Sequence, residues 1–367
     1  MQPFKSGMIV EKRDFCGRTS EIKQLKSYIE SKNRCYLYGE RRVGKTSLVL
    51  ETARRLKRAC ITIDLLGVKT EDDVCRRLIK GILCFNQTKP TELIDLLKQF
   101  AGLRPQLGID LLTGLPTVGL SPVPQLTLDN IESAFEVLKS YENTIIFFDE
   151  FQDILELKNC NKVLAIMRSK IQMMTKCSFI YTGSLRNAML DIFTLDSSPF
   201  FKSAFPLHVT TIEESVIRKF ILEKFATNKR TISDSALQSV YSLSCGIPGD
   251  IQRLCACLWD ISDDGDEIDA SLLPDALKNI FAMESLAYER ILHDISAQQL
   301  KTILALARIG GESTISQEFI QLTGITLPSS VHKAMKGLLT KRVVCSINAN
   351  YKFSNPFFRC WLVVKNI

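Results

Sequence analysis

An α/β fold, with a parallel sheet sandwiched by helices and then an all-helical segment and a small winged helix-turn-helix domain, is the architecture this 367-residue sequence predicts. Three observations carry that expectation. Up to about residue 210, short β-branched and aromatic runs alternate with longer stretches of helical periodicity, the pattern of a parallel sheet covered on both faces. From Thr211 to about Leu286 only helical patterns remain. The last fifth of the chain spells three short helices separated by turns, then two short alternating strands.

Composition bounds the rest. Hydrophobic residues make up 46% and charged residues 24%, with 18 Gly and 12 Pro, the balance of a packed globular chain that is too long for a single core. No apolar run approaches the length of a membrane span, so no membrane partner is expected. The opening residues MQPFKSGMIVEKRDF lack the apolar core of a signal peptide, and the expected location is cytoplasmic. The 12 Cys form no CxxC pair and read as reduced thiols, most of them small hydrophobes inside elements. Only Cys255 and Cys257 stand close together. With three scattered His and no HExxH run, metal-dependent hydrolysis on a zinc centre is not expected.

The strand Cys35-Tyr36-Leu37-Tyr38 leads into Gly39-Glu40-Arg41-Arg42-Val43-Gly44-Lys45-Thr46, and an amphipathic helix starting at Ser47 follows. This is a strand, a phosphate-binding loop and a helix. The glycines let successive backbone N–H groups point inward at a phosphate, at the positive end of the helix. Lys45 would reach the β and γ phosphates, and the Thr46 hydroxyl would hold Mg²⁺, so ATP and Mg²⁺ are the expected cofactors. Residues 39 to 47, Ser47 included, are the nucleotide-binding candidates.

A phosphate loop needs an acid for its metal. Thr144-Ile145-Ile146-Phe147-Phe148 supplies a buried strand that ends in Asp149-Glu150. Asp149 would bind Mg²⁺ with Thr46, and Glu150 would act as general base on the attacking water. Ser178-Phe179-Ile180-Tyr181 ends in Thr182-Gly183-Ser184, where Thr182 or Ser184 would sit between that acid pair and the γ-phosphate, although these residues also favour ordinary strand-end turns.

Together these runs resemble the AAA+/STAND superfamily of P-loop ATPases, and most closely its archaeal ATPase family. Phe15-Cys16-Gly17-Arg18-Thr19-Ser20-Glu21 is similar to that group's hhGRxxE element, which implies Gly17 and Arg18 near the adenine. GERRVGKTSL resembles its form of the Walker A motif, and IYTGSLRNAM its sensor 1 segment. Ser244 to Asp250 carries a GxP signature similar to that of STAND lids, which implies Pro248 at the nucleotide. Tyr351 to Trp361 resembles the ending of family members. The chain departs from the pattern in two places. Gln252 fills the slot where origin-recognition initiators carry an arginine, with Arg253 one residue later. Arg186 follows the sensor 1 strand by three residues rather than directly, and it is the catalytic arginine candidate.

The expected domains are an N-terminal arm (1–14), the ATPase core (15–210), a helical lid (211–286) and a winged helix (287–367). The core strands are expected near 35–38, 60–64, 144–149, 178–182 and 205–210. Residues 103–125, rich in Pro and Gly between apolar residues, suit a hairpin insertion. The acidic run Ser262 to Glu267 lacks the ligand spacing of a Ca²⁺ loop and reads as a solvated turn. In the tail, Thr314–Leu322 and Pro328–Leu339 are the expected second and third helices, and Val343–Ile347 with Tyr351–Phe353 the wing. From Ile291 onward nine basic residues face three acidic ones, against 38 and 37 in the rest of the chain. Such asymmetry suits a polyanion such as double-stranded DNA. Ser329, Ser330, Lys333 and Lys336, beside His332 on the outer face of the third helix, and Lys341 and Arg342 at the wing are the DNA-contact candidates.

The function expected is an ATP-hydrolysing molecular switch, with MgATP held between core and lid, whose winged helix reports the nucleotide state to DNA or to a partner. Two alternatives stand beside it: a nucleotide-gated scaffold that barely hydrolyses and works through protein contacts, with homo-oligomer or protein partners, and an origin-recognition-like initiator on DNA.

Overall fold

The computed structural model describes residues 2–86, 105–109, 116–120, 128–184, 186–227, 229–347 and 350–365. They form two compact units, Ile9–Thr210 and a second made of Met1–Met8 with Thr211–Ile367.

In the first unit the strands are β1 (Cys35–Tyr38), β2 (Cys60–Asp64), β3 (Pro105–Ile109), β4 (Pro116–Leu120), β5 (Ile145–Asp149), β6 (Ser178–Gly183) and β7 (Phe205–His208). Five of them make one sheet in the order β2-β5-β6-β1-β7, and every pairing in it is parallel. Strand order reverses beside β1, and in open α/β sheets such a reversal opens the crevice where ligands bind. The register sets Tyr38 level with Gly183 and with His208, and Leu37 level with Thr182. The loops leaving β1 and β6 therefore start side by side. β3 and β4 pair as the antiparallel hairpin expected of the insertion, from Pro105 opposite Leu120 to Ile109 opposite Pro116; the other residues of 103–125 lie outside the described residues.

Alternation along the strands builds two cores. Tyr36, Ile61, Ile63, Ile146, Phe148, Phe179 and Tyr181 face one side, under the helices Glu71–Phe85, Leu128–Lys139, Cys160–Gln172 and Arg186–Thr194. Cys35, Leu37, Ile145, Phe147, Ile180 and Leu207 face the other, against Leu25 and Ile29 of the helix Thr19–Glu30 and Leu48, Val49 and Ala53 of the helix Lys45–Arg55. A sheet buried on both faces explains why its strands read as unbroken apolar runs.

Glu51 is a buried anion on the helix Lys45–Arg55. Its carboxylate accepts from Arg54 (2.7 Å), from Arg55 (2.7 Å) and from the Lys12 backbone N–H (3.1 Å). The Arg54 bond, helped by Arg55 and that amide, outweighs burial and holds the carboxyl down to about 2.

In the second unit, residues 2–8 fold onto the helices that follow Thr211. Phe4 is buried against Phe225 (centroids 4.9 Å apart) and Trp259 (6.4 Å), Gln2 donates to the Ala256 carbonyl (3.1 Å), and the Lys5 amide donates to Gln252 (2.9 Å). The helices Glu214–Ala226, Asp234–Leu243 and Pro248–Asp260 precede the long helix Leu273–Asp294, which runs unbroken through the position read from sequence as the start of the last domain. β8 (Thr231–Ile232) and β9 (Glu267–Ile268) pair briefly in parallel. The acidic turn between Ser262 and Glu267 is gripped by Arg230, which donates to the Asp263 carbonyl and Asp264 and stacks 3.8 Å from the Trp259 ring centroid. No group of three or more His, Cys, Asp or Glu is arranged for a metal among the described residues, and Cys255 and Cys257 are buried thiols.

The C-terminal part is a winged helix. The helix Ala297–Arg308 leads to β10 (Glu312–Ser313), the helices Gln317–Thr323 and Pro328–Thr340 follow, and β11 (Val344–Ile347) and β12 (Asn350–Phe353) join β10 in a sheet of order β10-β12-β11 before the closing helix Pro356–Val364. The second helix starts later than the 314 expected, because Glu312 and Ser313 pair with Lys352 and Tyr351 and Ser316 becomes the N-cap, accepting from the Phe319 amide at 3.2 Å. Among the described residues no helix is long and apolar enough to cross a membrane.

Because Glu51 is ionised far below the usual carboxylate range only when folded, its stabilisation is present above pH 4.5 and lost as pH falls toward 2. Glu51→Gln is expected to flatten the stability profile of the protein across that window and to cost about 1–3 kcal/mol at neutral pH, read by thermal unfolding as a function of pH.

Candidate phosphate-binding and hydrolytic site

The loop after β1 is shaped by close approach. The Val209 amide donates to the Tyr38 carbonyl (2.9 Å), and a Cβ on Gly39 would stand 2.1 Å from the Val209 carbonyl oxygen, so only glycine fits there. Arg42 (φ 63°) and Gly44 (φ 91°) both take left-handed backbone as the loop turns into its helix. The first intrahelical bond runs from the Leu48 amide to the Gly44 carbonyl (2.9 Å), so the amides of Lys45, Thr46 and Ser47 are helix-start donors of the kind that bind anions. Val43 is buried in the core below; Arg41 and Arg42 are exposed.

Lys45 is 7% exposed, and its ammonium rests on the carbonyls of Gly39 (3.1 Å) and Glu40 (2.8 Å). Burial pushes it down to about 8, against the pull of Glu150 and Asp149. The Ser47 hydroxyl accepts from the Val10 amide (3.1 Å), which ties the incoming chain to this helix.

Asp149, the last residue of β5, is clasped by two hydroxyls. Thr46 donates to its Oδ2 (2.8 Å) and Thr182, fully buried at the end of β6, donates to its Oδ1. Burial raises this carboxyl, the two hydroxyls lower it, and Glu150 beside it raises it again; the net direction is up. A carboxylate held away from water next to a second acid suits a hard cation, and Thr46 and Asp149 present the oxygen donors that Mg²⁺ prefers.

Glu150 stands in left-handed backbone (φ 50°) at the head of the 3₁₀ turn Phe151–Glu156. Its Oε2 accepts from Ser184 Oγ (2.8 Å) and from Gln152 Nε2 (2.6 Å). The structure thus brings Lys45, Thr46, Asp149, Glu150, Thr182 and Ser184 together. Gln152 was not singled out from the sequence; the signal was its position just after the acid pair.

The remaining candidates divide. Gly17 and Arg18 both have left-handed backbone, and the Arg18 guanidinium is consumed within the protein by Glu21 (2.7 Å), the Val43 carbonyl (2.8 Å) and the Thr210 carbonyl. Its observed contacts brace the end of the phosphate loop rather than aim at a base. Arg186 opens the helix Arg186–Thr194, and its side chain lies outside the described residues. Pro248 belongs to the second unit, as the first residue of Pro248–Asp260. In that helix Gln252 accepts from Lys5, and Arg253 is paired with Glu284, which also accepts from Tyr288 and Asn355 (3.1 Å).

On the winged helix, Val331, Ala334, Met335 and Leu338 turn inward, while Ser329, His332, Lys333, Lys336, Lys341 and Arg342 are exposed and Ser330 is half-buried. Lys341 is drawn back onto the Asp294 carbonyl at the end of the long helix.

Since phosphate binding needs a charged Lys45, affinity for a fluorescent ATP analogue is expected to fall as pH rises through about 8, approaching tenfold per unit. In Lys45→Ala binding should be lost at every pH across the titrated range, while Glu150→Gln, which keeps Lys45, should retain that dependence.

Solved structures with the same architecture include a Walker-type ATPase of Pyrococcus abyssi (TM-score 0.67, 19% identity, 98% of this chain and 99% of that one). The Orc1 protein of Aeropyrum pernix, in complex with DNA, has a TM-score of 0.53 at 10% identity over 96% of this chain and 95% of that one. The Orc2 protein of the same organism, with ADPNP and ADP, has a TM-score of 0.51 at 13% identity over 100% and 96%. No curated protein matches in sequence. Residues 286–364 match a family described as a probable winged helix domain. Residues 15–254 match the family described as an ATPase domain predominantly from Archaea, and the chain belongs to that family of P-loop ATPases.

Proposed function

We propose that this protein binds MgATP and hydrolyses it slowly, as a switch whose nucleotide state governs what its winged helix binds. One observation carries the hydrolytic half: Asp149 is shared by Thr46 of the phosphate loop and Thr182 of β6, with Glu150 directly beside it. Thr46 and Asp149 would hold Mg²⁺, which would neutralise charge developing on the transferred phosphate. Lys45 would move from its loop carbonyls to the β and γ oxygens. Glu150, with Ser184 on one of its oxygens, would take the proton of the attacking water.

Double-stranded DNA is the partner that the winged helix suits. Lys333 and Lys336 are exposed on a helix with no acidic residue, beside Arg342, and the similar Orc1 structure was solved in complex with DNA. A scaffold that holds nucleotide without turning it over, alone or with protein partners or further copies of itself, is the second reading. The commitment of Arg253 to Glu284 favours it, because the lid arginine nearest the slot used by initiators is already paired.

Phosphate release with Mg²⁺ separates the two. Wild type is expected to turn over; Lys45→Ala should lose binding and turnover together, and Glu150→Gln should keep binding while losing about 10²–10⁴-fold in rate. Nucleotide binding without turnover would leave the scaffold. For the tail, fluorescence anisotropy with duplex DNA across salt concentrations is expected to give binding that weakens with salt, and Lys333→Ala/Lys336→Ala should weaken it on every duplex and reduce the salt slope by about one per lost contact.

A further inference from the structure

Gln152 is 3% exposed and sits inside the first unit, yet its amide makes an expensive set of choices. Its Nε2 donates to two carboxylates, Glu150 Oε2 (2.6 Å) and Asp153 Oδ1 (2.8 Å). Its Oε1 is buried with no hydrogen-bond partner. A buried acceptor left unpaired is destabilising, so the amide is kept here at a cost to stability. The amide is also pinned from behind. Asp153 accepts the Gly67 amide on its other oxygen (2.8 Å), which fixes the carboxylate that fixes Gln152. On the remaining side Gly183 leaves the space: a Cβ there would stand 2.4 Å from Gln152 Oε1.

We propose that Gln152 is the positioning residue of the hydrolytic base: with Ser184 it holds one oxygen of Glu150, so that the other is aimed at the attacking water. The inference rests on the hydrolytic reading above and adds a residue and a reason. Both described bonds to Glu150 fall on Oε2, and no described residue donates to Oε1. A carboxylate with one oxygen tethered twice has lost its freedom to rotate, and only the other oxygen can serve as proton acceptor. Glu150 needs the tether because its own backbone lies at the strained turn between β5 and the 3₁₀ segment, where nothing in its main chain orients the side chain. Asp153 acts one step further back, through Gln152, and the loop at Gly67 anchors the series. Support of this kind around a reacting group is typically worth 10–100-fold in rate.

The test compares the full chain with Gln152→Leu, Gln152→Met, Asp153→Ala and the double variant Gln152→Leu/Asp153→Ala. Measured are steady-state ATP hydrolysis with Mg²⁺, the Kd of a fluorescent ATP analogue, and the thermal midpoint. Gln152→Leu is expected to lower kcat about 10–100-fold with Kd and KM within about twofold, because the phosphate loop is untouched. Gln152→Met keeps the length of the side chain and removes the donor without adding a charge; it should lose as much in kcat, and it covers the case in which the leucine variant misfolds. Asp153→Ala should lose less, and the double variant no more than Gln152→Leu alone, since both changes act on one tether. A wild-type kcat in Gln152→Met, or a parallel loss of Kd and kcat in both Gln152 variants, overturns the proposal and leaves the hydrolytic reading standing. Absence of turnover in the wild type itself overturns both.

Discussion

A carboxylate that ends a wholly apolar strand governs the architecture of the first unit. Asp149 follows four buried residues of β5 and is itself half-buried, so its charge needs partners within the protein. Two threonine hydroxyls satisfy it, one from the helix after the phosphate loop and one from the neighbouring strand. Sharing it sets Thr46 and Thr182 against the end of β5, beside the helix that the phosphate loop enters. The buried ammonium of Lys45 and the raised carboxyl of Asp149 express the same condition from opposite signs: each is held in a place too dry for its charge, a place that a metal and a polyphosphate would complete.

Much of this was legible in the sequence because it is written locally. The glycines of the phosphate loop, the strand before it and the helix after it lie within some twenty residues, and each run has its own periodicity. The acid pair at the end of β5 and the hydroxyls at the end of β6 were readable for the same reason, since strand ends are marked by where apolar runs stop. The winged helix showed through its turns and its charge, apart from the start of its second helix, where pairing of Glu312 with Lys352 overrode local propensity.

Contacts made across long stretches of chain were hidden. Nothing local in the sequence shows that the Lys12 amide is brought to Glu51, or that the carbonyls of Val43 and Thr210 take the Arg18 guanidinium. The burial of Gln152 does not show in FQDIL because a 3₁₀ turn, unlike a helix, gives no periodic stripe to betray which side is inside. The sequence also offers no sign that the residues around Phe4 belong with helices more than two hundred positions later.

That last feature has a bearing on synthesis. Phe4 precedes the entire first unit in the chain, but its aromatic partners, Phe225 and Trp259, come only after that unit. At about 5–20 residues per second the segment around Phe4 must wait on the order of 10–50 s with its apolar side chains uncovered. The first unit can fold as it emerges; the second cannot close until its beginning and its end are both present. The order of translation thus makes nucleotide-binding core formation the early event and the completion of the helical unit a late, long-range one, and it gives a newly made chain an interval in which only one of its two units is in its final form.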